Sequence, residues 1–502
     1  MKLFNHTHRL LFLMAATLLL FSCGKDFLEE EPSGLISKKQ ISDISKLNPA
    51  STAGSINGIY AMTFEPGLAG WPSNADFGQK ALDIASDILS GDISQLSHEY
   101  WLFQDVSDLS GTEITGPITE IAWKYYYKII RGANEIIEMF DNEIPKSDKD
   151  KWTFGQAKAL RGYAYLYLVN FYQNPYSDAK TKKSIILRDE NNTTPGKLST
   201  VEEVYKSLLE DLETAVVALE GFERPHKIAI NQNVARGLLA YAYLFMEQYD
   251  KAEEIATKII NSKEFTLMSR EEVVESGFRD IKIPGWMWGV EINPNNTPYL
   301  RSVFGTLDLF TYGFQAYTGF VMNKELYQEI PGTDIRKTQF CDTFYHVDGE
   351  DTVKYEDLYP IQKFYTTVKI PDYDKNWVAD EAYMRIAEIY LIKAEAQARQ
   401  GKEGEAKASL LELVSQRDTD GANRINPLSG NALLDEIYFQ WRIEMWGEGK
   451  SLWAMKRFKK TNKRGSSSFR YAGEEFAYDD PRLVFDIPEV ERNSNPNIGQ
   501  ED

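Results

Sequence analysis

The chain has little cysteine and little histidine. Its 502 residues include two cysteines, Cys23 and Cys341, and five histidines. So few thiols cannot build a disulfide framework, and the fold must therefore be stabilised by packing. The histidines that follow the first 22 residues are His98, His226 and His346, which are far apart and have no ligand-like spacing. The sequence thus shows no histidine- or cysteine-based cluster for zinc or iron.

Basic residues are also scarce relative to acidic ones. The chain has 56 Lys and Arg against 75 Asp and Glu, and its formal net charge is −19. Nucleic-acid binding needs clustered basic side chains, so a nucleic-acid partner is disfavoured, as is peripheral docking on an anionic membrane leaflet. The 43% hydrophobic and 26% charged content is typical of a globular protein. A chain of this length has room for roughly two to four domains.

Only one long apolar run is present, and it lies at the start. The apolar run Leu10–Phe21 follows the basic residues Lys2 and Arg9. At about twelve residues it is too short to cross a bilayer. A basic start followed by a short apolar run is typical of a secretory signal, which we predict over residues 1–22. The run ends in Leu-Phe-Ser-Cys, which resembles a bacterial lipobox. The resemblance implies cleavage before Cys23 and lipidation of this residue, for example with palmitate. The alternative is a free cysteine after an ordinary signal peptide. Residues 23–40 then form a lipidated acidic tether.

Helical periodicity dominates the remainder of the chain. Apolar residues recur at helical spacing in Ile121–Phe140 and Gln156–Tyr172. Thr200 with Glu203 forms a capping-box pattern that predicts a helix start, with the helix running through Leu219.

Two segments have a helix-turn-helix pattern with small alanines at the expected crossing. They are Asn233–Met246 with Asp250–Ile260, and Glu381–Gln400 with Glu405–Arg417, where Gly401 is the C-terminal cap. Both resemble tetratricopeptide units, and since one pair cannot bury its apolar stripe alone, several must stack. A last helical stretch is predicted over Leu433–Lys459.

The predicted fold class is mainly α, a tetratricopeptide-like helical-pair scaffold that carries a loop-rich, partly β region. Its segments are a helical scaffold (41–264) with a loop insertion at about 61–118, an irregular loop and β region (265–379), and C-terminal tetratricopeptide-like helices with a closing segment (380–502). Short strands are predicted at Met287–Ile292 and Gln362–Val368. Loops on a rigid helical body are where a binding surface is expected.

Several longer motifs follow one another along the chain. They are AKALRGYAYLYLVNFYQNPY (Ala157–Tyr176), VARGLLAYAYLFMEQYDKAEEIATKII (Val234–Ile260), YMRIAEIYLIKAEAQARQG (Tyr383–Gly401), RIEMWGEGKSLWAMKRF (Arg442–Phe458) and the closing RLVFDIPEVERNSNPNIGQED. In this order they resemble motifs of the SusD/RagB family of Bacteroidetes outer-membrane lipoproteins. The resemblance runs nearly end to end, although Asn170–Asn174 lacks the family's usual glycine-aspartate. It implies a surface lipoprotein of the outer membrane that captures oligosaccharides or other nutrients for a SusC-like TonB-dependent transporter, without catalysis and without a cofactor.

Oligosaccharide receptors use exposed aromatic rings with amide or carboxylate partners, because sugars have flat apolar faces bordered by hydroxyls. Candidate ligand-binding residues lie in the two loop-rich regions. They are Trp71, Asn74, Asp76, Tyr100 and Trp101 in the first, and Tyr312 and Tyr317, with Tyr299 as a further candidate, in the second. The alternative is that these rings belong to the core. Asp372 and Asp374 offer oxygen ligands for Ca²⁺.

Two other function classes stay open. A surface glycoside hydrolase would need two carboxylates flanking a cleft, and a tetratricopeptide adaptor would bind only proteins. The sequence shows no nucleophile–base pair, phosphate loop or metal cluster. The nutrient itself is not specified by the sequence.

Overall fold

The computed structural model describes residues 49–71, 73–97, 102–188, 195–276, 278–311, 315, 319–341, 343–348, 351–356, 361–366 and 377–499. The predicted signal peptide, the lipidated Cys23 and the acidic tether lie outside the described residues. The described residues from Gly54 onward pack as one compact unit. The segment boundaries predicted near 264 and 379 stay a prediction.

The described chain is mainly helical, as the sequence predicts. Its α-helices are, in chain order, α1 (Pro49–Met62), α2 (Gln79–Ser90), α3 (Gln104–Ser107), α4 (Pro117–Met139), α5 (Asp148–Phe171), α6 (Tyr176–Ala179), α7 (Val201–Ala218), α8 (Gln232–Phe245), α9 (Tyr249–Asn261), α10 (Val303–Leu307), α11 (Lys324–Glu329), α12 (Ile386–Arg399), α13 (Glu403–Val414), α14 (Gly421–Ile425), α15 (Gly430–Glu444), α16 (Ser451–Arg457) and α17 (Glu489–Ser494). A π-helical turn (Glu272–Ser276) and 3-10 turns (Ile335–Gln339 and Pro481–Leu483) complete the helical set.

Strands are short and occur only as antiparallel pairs within the described part of the chain. They are β1 (Ile93–Gln95), β2 (Lys183–Ile186), β3 (Leu198–Thr200), β4 (Trp286–Val290), β5 (Phe320–Met322), β6 (Thr343–Asp348), β7 (Asp351–Glu356), β8 (Glu381–Arg385), β9 (Asn462–Lys463) and β10 (Glu475–Phe476). The pairs are β1–β5, β2–β3, β4–β8, β6–β7 and β9–β10. The structure therefore confirms β4, close to the strand predicted at Met287–Ile292.

Helix starts and the stacking of helix pairs agree with the local sequence. The Thr200 hydroxyl accepts a hydrogen bond from the Glu203 N–H, and the Glu203 carboxylate accepts one from the Thr200 N–H, so the predicted capping box is present. Helix α8 packs on α9 and α12 packs on α13, while α9 also packs on α12 and joins the two pairs. Each pair thus covers the apolar stripe of the other, as tetratricopeptide-like units do.

A carboxylate on α9 also joins the two helix pairs. Glu253 accepts hydrogen bonds from Gln397, Gln400 and Lys402 at 2.9, 2.9 and 2.7 Å. The glycine that follows α12, Gly401, has φ +76°, which agrees with its predicted role at the helix C-terminus.

The helix predicted over Glu381–Gln400 is wrong in its first five residues. Glu381–Arg385 is strand β8, which is buried throughout and pairs with β4 in the register Gly289↔Ala382. Helix α12 begins only at Ile386, where the Glu388 carboxylate accepts a hydrogen bond from the Arg385 N–H at 2.6 Å. The long-range pairing with β4 decides the conformation here, because a strand and a helix can both bury such an apolar run.

The single helix predicted over Leu433–Lys459 is also wrong, since α15 ends at Glu444 and α16 begins at Ser451. Gly447 and Gly449 both have φ +75° in the connecting turn. The N–H groups of both glycines and of Ser451 donate to the Asp87 carboxylate at 2.6, 3.3 and 3.3 Å. We call this connection, residues 445–450, the Asp87 turn. A buried acceptor from α2 replaces the helical hydrogen bonds that the turn loses.

The strand predicted at Gln362–Val368 is not present in its described part. Residues 362–366 have no strand structure, and only the neighbouring Ile361 makes an isolated bridge, to Phe340. No helix in the part of the chain that the structure describes is long and apolar enough to span a bilayer.

Candidate ligand-binding site

The segment that precedes α2 forms a loop whose two ends lie close together. The Gln79 N–H donates to the Thr63 carbonyl at 2.9 Å, and within the loop the Gly67 N–H donates to the Asp76 carbonyl at 2.7 Å. Gly78 has φ +78°, and a β-carbon there would lie 2.3 Å from the Thr63 carbonyl oxygen, so this position requires glycine. We call residues 64–78, without the undescribed residue 72, the Trp71 loop.

Asp76 holds this loop from the inside. Only 1% of Asp76 is exposed, and its carboxylate accepts hydrogen bonds from the N–H groups of Ala69 and Trp71 at 3.4 and 3.3 Å. Burial raises the pKa of Asp76, whereas the backbone hydrogen bonds and the charge of Arg301 act to lower it. From this buried position Asp76 supports the loop rather than facing solvent.

Trp71 and Asn74 lie nearer the surface of the loop. Both residues are partly exposed, and Trp71 packs against the main hydrophobic core. The indole Nε1 of Trp71 is buried without a hydrogen-bond partner among the described residues. On the adjacent helix α4, the Lys128 ammonium donates a hydrogen bond to the Leu68 carbonyl. The loop that presents Trp71 is therefore restrained both by Asp76 and by Lys128.

A second segment, residues 299–301, approaches the Trp71 loop. The Arg301 Nη1 lies 3.5 Å from the position that a β-carbon on Gly67 would occupy. Two residues earlier, Tyr299 is 64% exposed and has φ +52°. A non-glycine residue in this left-handed region carries backbone strain of about 1–3 kcal/mol, which is frequent at binding sites. The structure thus brings the end of this segment, at Arg301, close to Gly67 of the Trp71 loop.

Side chains from these two segments, which are distant in the sequence, offer aromatic and polar groups to a ligand. Tyr299 offers an exposed ring and a phenol hydroxyl, Trp71 offers part of an indole ring, and Arg301 offers a guanidinium with no hydrogen bond from its side chain to the described residues. Such a set suits a ligand with flat apolar faces bordered by polar groups. We call Trp71, Asn74, Tyr299 and Arg301 the candidate site.

Sequence reasoning missed Lys128 and Arg301. Lys128 is one of several lysines on predicted helices, and Arg301 follows an unpatterned stretch, so no local signal distinguishes them. Other candidates lie outside the described residues and stay predictions. These are Tyr100, Trp101, Tyr312 and Tyr317 for the ligand, and Asp372 and Asp374 for Ca²⁺. Among the residues that the structure does describe, no group of His, Cys, Asp and Glu could hold a metal ion.

The interior contains a second group of charges, which is structural. Glu444 on α15 is 3% exposed and contacts three arginines, with Arg336 Nη1, Arg385 Nη1 and Arg417 Nε at 3.1, 3.0 and 3.0 Å from its carboxylate oxygens. The neighbouring Glu448 contacts Arg385 Nε at 2.7 Å. We call these residues the Glu444 cluster. Its two acids are held within the core by ion pairs with these arginines.

Comparison with known proteins gives two family matches. A model described as "SusD family" matches residues 337–500, and a model described as "Starch-binding associating with outer membrane" matches residues 83–244. No match was found among curated proteins.

The fold is similar to that of several solved structures. A SusD-like carbohydrate binding protein from Bacteroides vulgatus has a TM-score of 0.75 and 23% identity, and the similarity covers 90% of this chain and 97% of that one. A SusD superfamily protein from Bacteroides thetaiotaomicron has a TM-score of 0.74 and 21% identity, with 90% and 99% covered. For the surface glycan-binding protein A from Bacteroides uniformis the values are 0.65 and 19%, again with 90% and 99% covered. The two family matches, in their order along the chain and on a SusD-like fold, confirm the predicted resemblance to the SusD/RagB family.

Proposed function

We propose that the chain is a cell-surface lipoprotein that binds an oligosaccharide at the candidate site and delivers it to a SusC-like TonB-dependent transporter in the outer membrane. The binding part of this proposal is supported by the family's starch-binding description and by the names of the structural neighbours. We further propose that the protein binds and does not cleave its ligand.

The observation that carries the proposal is the position of Tyr299. Its side chain is 64% exposed and its backbone is strained, and it lies two residues before Arg301, which approaches the loop that Asp76 restrains and that presents Trp71. An exposed ring is costly in water unless a ligand covers it. Two rings on restrained segments lose little conformational entropy when they stack on sugar faces.

Retention of the full-length chain on immobilised polysaccharides, with analysis of released sugars, tests this function. We expect retention without cleavage, and we expect that Tyr299→Ala and Trp71→Ala each weaken it. Val217→Ala is the matched control, because Val217 is also exposed, at 61%, but lies on α7 in the helical scaffold. Equal retention of the control and both ring variants would remove the candidate site from the proposal.

The same assay separates the two other function classes. Release of shorter sugars would establish a glycoside hydrolase. Absence of both retention and cleavage across a broad set of glycans would favour the protein-binding adaptor. Repeating the assay after chelation tests the prediction that Asp372 and Asp374 hold Ca²⁺, because loss of a structural ion would lower retention.

The anchor and the transporter need their own tests. We expect the mature N-terminal peptide to carry acyl chains on Cys23, visible as added mass, and Cys23→Ala to release the protein from the outer-membrane fraction. Purification of the intact protein from that fraction is expected to bring a TonB-dependent β-barrel in about equal amount. Recovery of the acylated protein without a barrel would count against delivery but not against glycan binding.

A further inference from the structure

A buried lysine near the end of α16 has no acidic partner among the residues that the structure describes. Lys456 is 4% exposed, and its ammonium donates one hydrogen bond, to the Leu483 carbonyl at 2.8 Å. No carboxylate of the described residues forms an ion pair with it. Burial lowers the pKa of Lys456 to about 7. An uncompensated buried charge is costly, and native proteins normally pair it.

One helical turn before Lys456, an indole N–H also lacks a partner. Trp453 is 3% exposed, and its Nε1 is buried without a hydrogen-bond acceptor in the described part of the chain. Its ring contacts those of Tyr167 and Phe245, at centroid distances of 4.4 and 5.2 Å, so the direction of the N–H is fixed. An unmade hydrogen bond at such a position costs about 1–3 kcal/mol.

Both residues line one small cavity that opens to solvent. Other walls of this cavity come from Asn170, Gln173, Pro175, Tyr176, Phe245 and Arg457. We call it the Trp453–Lys456 cavity. The guanidinium of Arg457 donates to both oxygens of Glu395, at 3.1 and 2.9 Å, and the Arg399 Nε lies 3.4 Å from the same carboxylate. No carboxylate lines the cavity, so the positive charge of Lys456 has no acidic partner there.

We propose that the Trp453–Lys456 cavity binds a small monovalent anion such as chloride, held by the Trp453 N–H and the Lys456 ammonium. The cavity has room for about one water-sized occupant, which excludes a sugar or a large carboxylate. A water molecule would satisfy the indole N–H, but it would leave the ammonium without a counter-charge. A bound anion satisfies both groups, and charge-assisted hydrogen bonds are the stronger kind.

The position of the cavity gives the anion a structural consequence. Lys456 joins α16 to the closing segment through Leu483, and two residues later Phe485 contacts Phe171 at a centroid distance of 4.8 Å. An anion that keeps Lys456 charged in place would stabilise this junction. Its stabilisation should saturate with anion concentration, as expected for a ligand that binds only the folded state.

Thermal unfolding of the full-length chain at pH 7 tests the site. We expect the Tm to rise on the order of 1–3 °C when chloride replaces gluconate at constant ionic strength. Trp453→Phe keeps an aromatic ring and removes a donor that has no partner among the described residues. This variant should match the wild type in gluconate and lose the rise in chloride. Lys460→Gln is the charge control, since Lys460 pairs with Asp435 at the surface, and it should keep the rise.

Crystals grown in bromide give an independent readout. An anomalous peak between the Trp453 Nε1 and Lys456 Nζ atoms, absent in Trp453→Phe, is the expected result. A water molecule at that position in bromide, or a Tm that does not distinguish chloride from gluconate, would overturn the proposal. Both readouts are independent of glycan binding, and failure here leaves the proposed function untouched.

Discussion

At the residue scale, the stability of the interior depends on a single carboxylate that faces three guanidinium groups. Glu444 contacts Arg336, Arg385 and Arg417, which come from a 3-10 turn, from β8 and from the segment after α13. Burying these four groups is costly, and their mutual contacts offset the cost. One side chain thus joins distant parts of the chain.

We expect Glu444→Gln to lower the free energy of unfolding by about 3–5 kcal/mol, because it leaves the buried Arg417 without an acidic partner and leaves Arg336 and Arg385 with one acidic partner each, Asp334 and Glu448. Glu475→Gln is the matched control, since Glu475 is 57% exposed and lies 3.4 Å from Lys463. The control should change stability by less than about 1 kcal/mol. Urea unfolding measures both, and similar effects of the two variants would contradict the argument.

Asp76 is the residue that links stability of the loop to binding. Asp76→Ala removes two hydrogen bonds to the backbone of the Trp71 loop. If the candidate site binds the ligand, its affinity should fall roughly tenfold, because each lost bond is worth about 0.5–1.5 kcal/mol of loop order. Calorimetric titration with the retained glycan gives the affinity, and far-ultraviolet circular dichroism checks that the helices are intact. An unchanged affinity would show that the loop does not position the site.

At the element scale, the break between α15 and α16 depends on glycine. A β-carbon on Gly449 would lie 2.4 Å from the Asp83 Oδ1 and 2.6 Å from the Asp83 Cα, and the residue has φ +75°. Gly473 has nearly the same φ, +74°, but nothing lies within 4 Å of its added β-carbon. Alanine variants of the two glycines therefore distinguish the cost of backbone strain from the cost of a steric clash.

Gly473→Ala should lower the free energy of unfolding by about 1–2 kcal/mol, from the left-handed backbone alone. Gly449→Ala should cost about 1–3 kcal/mol more, because the buried Asp83 must also move. Chemical denaturation of both variants gives the difference. If the two alanine variants unfold at the same denaturant concentration, the clash at the Asp87 turn is relieved elsewhere.

At the scale of the whole molecule, buried ion pairs predict loss of stability in acid. Although burial acts to raise it, the charges of Arg385 and Lys363 lower the pKa of Glu448 to about 2. The pKa of Glu444 is also lowered, because the three arginines outweigh its burial. Carboxylates whose pKa is lower in the folded than in the unfolded state stabilise the fold above about pH 4.5. That stability is lost as the pH falls from about 4.5 towards 2.

We expect the free energy of unfolding to decline between pH 5 and pH 3, and Glu448→Gln to make this decline shallower. Glu381 provides a control of opposite sign, because burial raises its pKa to about 7. The stabilisation by protonated Glu381 is fully present below about pH 4.5 and is lost as the pH rises through 7. Glu381→Gln should therefore alter the pH dependence of the free energy of unfolding only as the pH rises from about 4.5 through 7. Equal slopes for Glu448→Gln and the wild type below pH 5 would contradict the prediction.

The sequence alone predicted the elements whose conformation depends on residues close together in the chain. Apolar spacing and caps located α4, α5, α7 and the two tetratricopeptide-like pairs, because residues three and four apart share a helix face. The motifs that resemble the SusD/RagB family lie mostly on these helices, which is why the family could be predicted without coordinates.

Only the tertiary structure decided the features that depend on distant partners. Glu381–Arg385 becomes a strand because β4 pairs with it, and the chain turns after Glu444 because Asp87 accepts the freed N–H groups. Arg301 likewise approaches Gly67 of the Trp71 loop, although the two residues are more than two hundred positions apart in the sequence. Periodicity indicates which face of a segment is apolar. The free energy of a strand pair, of a hydrogen bond to a buried acceptor or of a loop contact depends on two distant segments, so the pattern of one segment does not predict it.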